Sequence, residues 1–474
     1  MLQRQIHWIM IESRMSVENK SACELHPRHL RVSAALSAIT LAQIFSAFGI
    51  QWYTVAHLGV GVQTDALYAG ATLSQIAIAL LIEPLGLVLI PFFSSRVEID
   101  QDWAGWPLLC VIGAASSISV AILFLLAPIV VPILAPGLAE PTANLAVGLA
   151  QVQIVGLIGV GCGTVLTCLS QAQGRFVWPA LSVLICVSGG WVLLVFGLDR
   201  WGVRLAAWAQ VFIVTGPALL IFPAVKKGGG GSYSDVVSLG KAVWGQMRPL
   251  VISASYNRTS FLVDRLLASL LMPGSIVILE LVWRIHSAIV RVINQGLITP
   301  ILPQLTSLSH RREWPQLVGL CKERLLWICG LSVMTVGLLG GTGLLCRITV
   351  LQDVCKSLLG SLHVDDLSRI WIVLMSCSGV LLSASINHLL VSVFYAQGDT
   401  KTPAKIEALA NTIGLILKSV GCLLGGLIGI AIGVSCYYAL NALLLGIVLR
   451  RRLSAQRLER DSRDGKSLAP VAIY

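Results

Sequence analysis

Asn257, Arg258, Asp264, Arg265, Glu280, Arg284, His286 and Arg291 crowd one stretch, Tyr256 to Arg291, each set among Leu, Ile and Val. A charge at the centre of a lipid-facing helix costs roughly 2.5–3.5 kcal/mol on insertion scales. These groups therefore belong near a headgroup layer or against a watery interior. Arg284, Ser287 and Arg291 are spaced i, i+3 and i+7 and share one helical face. Glu280 lies one turn before Arg284, where pairing lowers the cost of burial. Arg258 and Arg265 stand two turns apart on the preceding helix, with Asp264 beside Arg265. A guanidinium is a planar fork that donates two parallel hydrogen bonds, which suits a diphosphate. The pattern predicts a cationic wall gripping such a group. Two other placements stay open. Asp264 and Arg265 can sit at the outer headgroup layer, because the turn at Met272 to Ser275 is only about two helical turns away. Arg291 can snorkel.

Further candidates lie elsewhere. Glu83 sits deep in an apolar run and is followed by Pro84 and Gly86. It is either a protonation site or the partner of an arginine across a cavity, and the proline kinks its helix. Asp65 stands where a carboxylate caps the first turn of a helix. Lys418, with Asn411 two turns earlier, either lines a cavity or snorkels to the outer end. Asn387 and His388 read as interhelical glue, and Gly421, Gly425, Gly429 and Gly433 as a close-packing stripe.

The elements that must carry these residues are membrane helices. The 474-residue chain is 56% hydrophobic and 12% charged, against about 25% charged for a soluble domain, and its mean hydropathy is +0.82. The net charge of +11 concentrates between apolar segments and in the tails, with no recognition motif, which excludes nucleic acid as a partner. The twelve cysteines show no CxxC or zinc spacing and read as small buried hydrophobes; Cys346 and Cys355 can pair if their loop faces an oxidising compartment. The absence of Walker A, G-x-S-x-G, HExxH and Rossmann patterns argues against ATP-driven transport. No metal or cofactor is predicted, and an ion gradient or membrane potential must supply any energy.

Twelve spans are predicted near 33–58, 66–93, 107–134, 144–172, 175–197, 202–224, 241–272, 274–302, 321–347, 367–396, 403–424 and 427–449, each able to cross about 30 Å of hydrocarbon. The basic residues Arg96, Arg175, Lys226, Lys227, Arg311, Arg312, Lys322, Arg324 and Lys401 fall on one side, with Arg450, Arg451 and Arg452 opening the tail. The other side holds Arg200, Arg204, Lys356 and Arg369, so both termini are expected in the cytoplasm. AQGRFVWPA at 172–180 and AQGDTKTPA at 396–404 share A-Q-G-x-x-x-x-P-A. They lie six helices apart, which predicts two parallel six-helix pseudo-repeats. Pro91–Trp103 and Pro303–Trp314 give a second echo. The expected organisation is a cytoplasmic tail (1–32), an N-terminal half (33–225), a flexible linker (226–240) containing KKGGGGSYSD, a C-terminal half (241–450) and a basic tail (451–474). Met15 is a candidate start.

Three stretches resemble the MurJ (MviN-like) lipid II flippases of the MOP exporter superfamily: TDALYAGATLSQIAIALLIEPLGLVLIPFFSS from Thr64, VDRLLASLLMPGS from Val263 with WRIHSAI, and FYAQGDTKTPAKI from Phe394. The resemblance implies a central cavity between two bundles, alternating access, and a lipid-linked sugar precursor as substrate. Glu83 matches a glutamate of the family's second helix and Asp65 its T-D-A motif. The family's first-helix arginines have no counterpart between Leu41 and Leu58, which holds Gln43, Gln51 and His57. The family's extra C-terminal helix pair is not expected here.

The combined expectation is an all-α membrane flippase, not an enzyme, of the bacterial inner membrane. Its partners are a polyprenyl-diphosphate-linked saccharide, membrane lipid and a coupling ion, proton or sodium. Arg284, Arg258, Arg265, Glu83, Asp65, Glu280, Arg291 and Lys418 are its candidate substrate-binding residues. The rival readings are a cation-coupled antiporter of the same superfamily, a membrane glycosyl- or acyltransferase using His363, Asp365 and Asp366, and a transport-silent scaffold.

Overall fold

Backbone polar groups have no water to bond in hydrocarbon, so apolar runs of this length close their hydrogen bonds internally as helices. The computed structural model describes residues 26–94, 101–224, 233–311, 313–345 and 364–463. Outside them lie most of the N-terminal tail, Arg96, the glycine run of the linker, Arg312, the loop bearing Cys346, Arg347, Cys355, Lys356 and His363, and the end of the C-terminal tail. Helical segments fall in each predicted interval. They are α1 (His26–Leu58), α2 (62–94), α3 (Gln101–Leu134), α4 (140–172, broken at Val155), and α5 (177–201) with α6 (203–221). The second half holds α7 (Tyr233–Ser269), α8 (275–310), α9 (Trp314–Leu345), α10 (364–396, broken at Cys377), and α11 (401–424) with α12 (427–463). Among the described residues, eight helical stretches are long and apolar enough to cross a membrane. Val177–Ile221 and Lys401–Ser454 are each a pair turned at glycine. α7 and α8, which carry the charged hairpin, are absent from those eight.

Several helices outrun their predicted spans, because hydrogen bonding continues past the apolar boundary into polar flanks. α1 starts at His26 and so includes Arg28 and Arg31; α9 starts at Trp314. Residues 233–240, expected in the flexible linker, are the first turns of α7, and α12 carries 451–463 of the expected tail as helix.

The pseudo-repeat is written into the backbone. Among the described residues, six glycines have positive φ and form three pairs at matching turns: Gly59 and Gly274 (φ 77° and 92°), Gly174 and Gly398 (76° and 75°), and Gly202 and Gly426 (56° and 55°). The two A-Q-G turns close alike, with Arg175 N–H donating to Ser170 O at 2.9 Å and Asp399 N–H to Phe394 O at 3.0 Å. This six-to-one bond ends a helix at a left-handed residue, where glycine has no Cβ penalty. α2 and α8 share a π turn, Ile78–Ile82 and Asn294–Ile298, each followed two residues on by a proline, Pro84 and Pro300. Proline cannot donate and crowds the carbonyl four residues back, so the ladder widens locally.

Of the glycine stripe, Gly421 and Gly429 pack backbone to backbone and Gly433 packs on Lys418, so a Cβ at any of them would clash. Gly425 meets nothing and belongs to the α11–α12 turn instead. Both halves contribute to the largest apolar core: Leu67, Leu149 and Ile154 pack with Ala268, Ile276, Val277 and Ile430.

Candidate functional site

The charged groups line the seam between the halves in layers. At one end Thr64 closes the first turn of α2, its hydroxyl donating to Gly59 O and Gly61 O at 3.0 Å and accepting from Gly61 N–H at 3.1 Å. Asp65 is thereby free to reach across. Its carboxylate accepts from Gly274 N–H at 2.5 Å and Val277 N–H at 3.0 Å. Asp65 thus caps α8 of the other half rather than its own helix, correcting the expectation. Gly274 abuts Val60, and Gly137 in the α3–α4 turn abuts the backbone of Ser269, both too closely for a Cβ. The turns at this end are locked together.

The next layer holds Arg265, buried and ion-paired with Glu280, whose other oxygen accepts from Arg284 Nε at 3.1 Å. Arg265 also lies over the Phe261 ring at 5.1 Å. Beside it Lys418 is 1% exposed and bonds Asp264 at 2.8 Å and Ser260 Oγ at 2.7 Å. Asp264, Arg265 and Lys418 are all buried against protein. Their charges are matched between helices, because a buried ion without a partner is far costlier than a pair. Farther along, Arg258 Nη2 meets Glu83 Oε2 at 2.6 Å, with both side chains substantially exposed. Glu83 stands about 27 Å from Asp65 at 1.5 Å per residue. The arginine partner expected for Glu83 across the seam is therefore Arg258.

Three cavities open from this seam. One of about 450 Å³ is walled by Glu83, Arg258, Asp264, Glu407, Lys418 and Tyr437. A second, about 360 Å³, takes Arg291, Ser287, His286 and His388. The third, about 260 Å³, lies inside the N-terminal half and is lined from the other half by Arg284. The shared helical face of Arg284 and Arg291 is real, yet the two side chains line different cavities. Arg291 is exposed and has no ion-pair partner among the described residues.

The family model for "Lipid II flippase MurJ" matches residues 54–466, most of the chain and all of this seam. The chain belongs to the MurJ lipid II flippase family. A "Probable lipid II flippase MurJ" of Synechocystis sp. is 24% identical over 382 residues, covering 71% of this chain and 69% of that protein. In fold the chain is similar to a lipid II flippase MurJ in an inward closed conformation, with a TM-score of 0.72 at 16% identity over 87% of each chain. It is also similar to an inward-facing multidrug resistance MATE transporter of the MOP superfamily, with a TM-score of 0.68 at 14% identity over 88% of this chain and 95% of that one. The fold is thus the MOP architecture, and the MurJ family is one of membrane flippases for lipid-linked precursors.

Within this MurJ-family seam, sequence reasoning missed the polar lining of the third cavity, Gln51, Tyr68, Gln153 and Gln210, and the half-buried Glu407. The three glutamines come from three separate helices, so only their convergence in space marks them. Glu407 looked like one more charge near the start of α11.

Proposed function

We propose that this chain flips a polyprenyl-diphosphate-linked saccharide across the bacterial inner membrane by rocking its halves, 33–225 and 241–450, about the seam. Both termini lie in the cytoplasm, so the Asp65 end is the outer one. The observation that carries the reading is Arg284: Glu280 orients its Nε, while 40% of the side chain remains exposed and it lines the cavity of the opposite, N-terminal half. A guanidinium held in this way offers its free edge to a diphosphate. Arg258, once parted from Glu83, and Arg291 supply further positive charge along the path. Arg265, Lys418, Glu280 and Asp65 hold the seam rather than the substrate. The family's first-helix cations have no counterpart in the Leu41–Leu58 stretch, so the grip comes chiefly from the C-terminal half. A proton or sodium ion drives the cycle.

Complementation of a strain depleted of its lipid II flippase tests this. Wild type is expected to restore growth, and Arg284→Ala to fail while accumulating folded in the membrane. Full complementation by Arg284→Ala would remove the arginine from the mechanism.

A further inference from the structure

The cavity within the N-terminal half is built from side chains that the seam does not use. Gln51, Thr54, Tyr68, Gln75, Gln153 and Gln210 supply most of its polar lining from α1, α2, α4 and α6, and among the described residues no carboxylate or lysine lines it. Gln153 Nε2 donates to Gln210 Oε1 at 2.8 Å, while Gln153 Oε1 has no hydrogen-bond partner among the described residues. Gln51 is 3% exposed and, with the Tyr68 hydroxyl close by, completes no hydrogen bond of good geometry at either amide atom. Buried amides left unmatched are costly, so these two glutamines are set to serve a ligand. Their chemistry, neutral donors and acceptors pointing inward from several helices, suits a ring rich in hydroxyl and amide groups. Among the described residues that line the cavity, the one charge is the Arg284 guanidinium, which suits an anion attached to that ring. The volume of about 260 Å³ lies below the roughly 300–1,000 Å³ of drug-sized sites, so it fits a single ring and not an oligosaccharide.

We propose that this cavity seats the sugar ring joined directly to the diphosphate, with Gln51 and Gln153 bonding its hydroxyl and acetamido groups while Arg284 holds the phosphate. The proposal rests on the flippase reading and adds a specificity determinant to it. The N-terminal half then reads the sugar and the C-terminal half grips the charge, so both halves are needed to hold one substrate.

The full chain in lipid nanodiscs is titrated with two probes, a short-chain prenyl diphosphate and the same lipid carrying one N-acetylhexosamine on its terminal phosphate. Wild type is expected to bind the sugar-bearing probe about tenfold more tightly or better, the scale of one or two well-made hydrogen bonds to a buried partner. Gln51→Leu and Gln153→Leu are each expected to erase that preference, whereas Arg284→Ala weakens both probes. If wild type binds both probes equally, or if the glutamine variants weaken both alike, the sugar pocket is overturned while the diphosphate grip stands. If neither probe binds wild type, the flippase reading fails and the pocket with it.

Discussion

The Asp65 carboxylate and the Val277 backbone amide, 212 residues apart, meet at 3.0 Å across the two halves of the molecule. With the second bond to Gly274, a side chain of α2 replaces the cap that α8 lacks within its own sequence, since its N-cap position is a glycine. Charge-assisted bonds of this kind are worth about 1.5–3 kcal/mol each. Asp65→Ala is expected to lower the unfolding midpoint and to loosen the locked end. A cysteine placed at Ser269, which packs on Gly137, is then labelled faster by a water-soluble maleimide. Asp65→Asn keeps one acceptor oxygen and loses less. Unchanged labelling and midpoint in Asp65→Ala would show that the clasp holds nothing.

Lys418 and Asp264 give a sharper contrast between removing one partner and removing both. Each is almost wholly buried, and stripping one partner from a buried pair typically costs about 3–5 kcal/mol, whereas apolar replacement of both is often neutral. Lys418→Met is expected to destabilise the protein strongly in detergent, and Asp264→Leu with Lys418→Met to recover most of the loss. Additive losses in the double-mutant cycle would mean that the two groups are not coupled.

The fold was legible in the sequence because its signals are local. Apolar run length set the spans, and A-Q-G-x-x-x-x-P-A predicted two equivalent places in the halves, where the structure shows both turns closing at a left-handed glycine. Charge pattern located the hairpin and the Glu280–Arg284 pair, four residues apart on one helix. It did not reveal which cations are spent. Lys418 finds Asp264 across 154 residues and Arg265 finds Glu280 across a turn, and no helical period encodes such partners. Gln51 and Gln153 escaped for the same reason: a single amide in an apolar helix is indistinguishable from interhelical glue until its neighbours are known.

Glu83 and Arg258 bind each other in the open part of the seam, and an exposed pair contributes only about 0–1 kcal/mol. Replacing either is therefore expected to change stability little and transport a great deal if the pair must part in each cycle. Arg258→Glu sets two carboxylates together and is expected to impair export. Adding Glu83→Arg restores opposite charges and is expected to recover part of it. Export unaffected by Arg258→Glu, measured as complementation of a flippase-depleted strain, would confine the pair to a bystander role.

Asp399 closes the start of α11 outside the apolar spans. It accepts from the backbone amides of Lys401 at 3.1 Å and Thr402 at 3.0 Å and from the Thr402 hydroxyl at 2.7 Å, and it pairs with Arg452 of α12. The Thr402 backbone bond, then its hydroxyl, then Arg452 hold its carboxyl well below the usual carboxylate range. A carboxyl depressed in the folded state contributes stability above its unfolded value of about 3.9, and that contribution is lost as pH falls through the lower folded value. Asp399→Ala is expected to cost about 1 kcal/mol at neutral pH, the usual scale for losing a helix cap. The difference from wild type should hold constant down to about pH 4 and shrink below it. Unfolding midpoints of both proteins measured against pH check this. A gap that stays constant through strong acid would mean that the cap works as a neutral acceptor and that its charge is irrelevant.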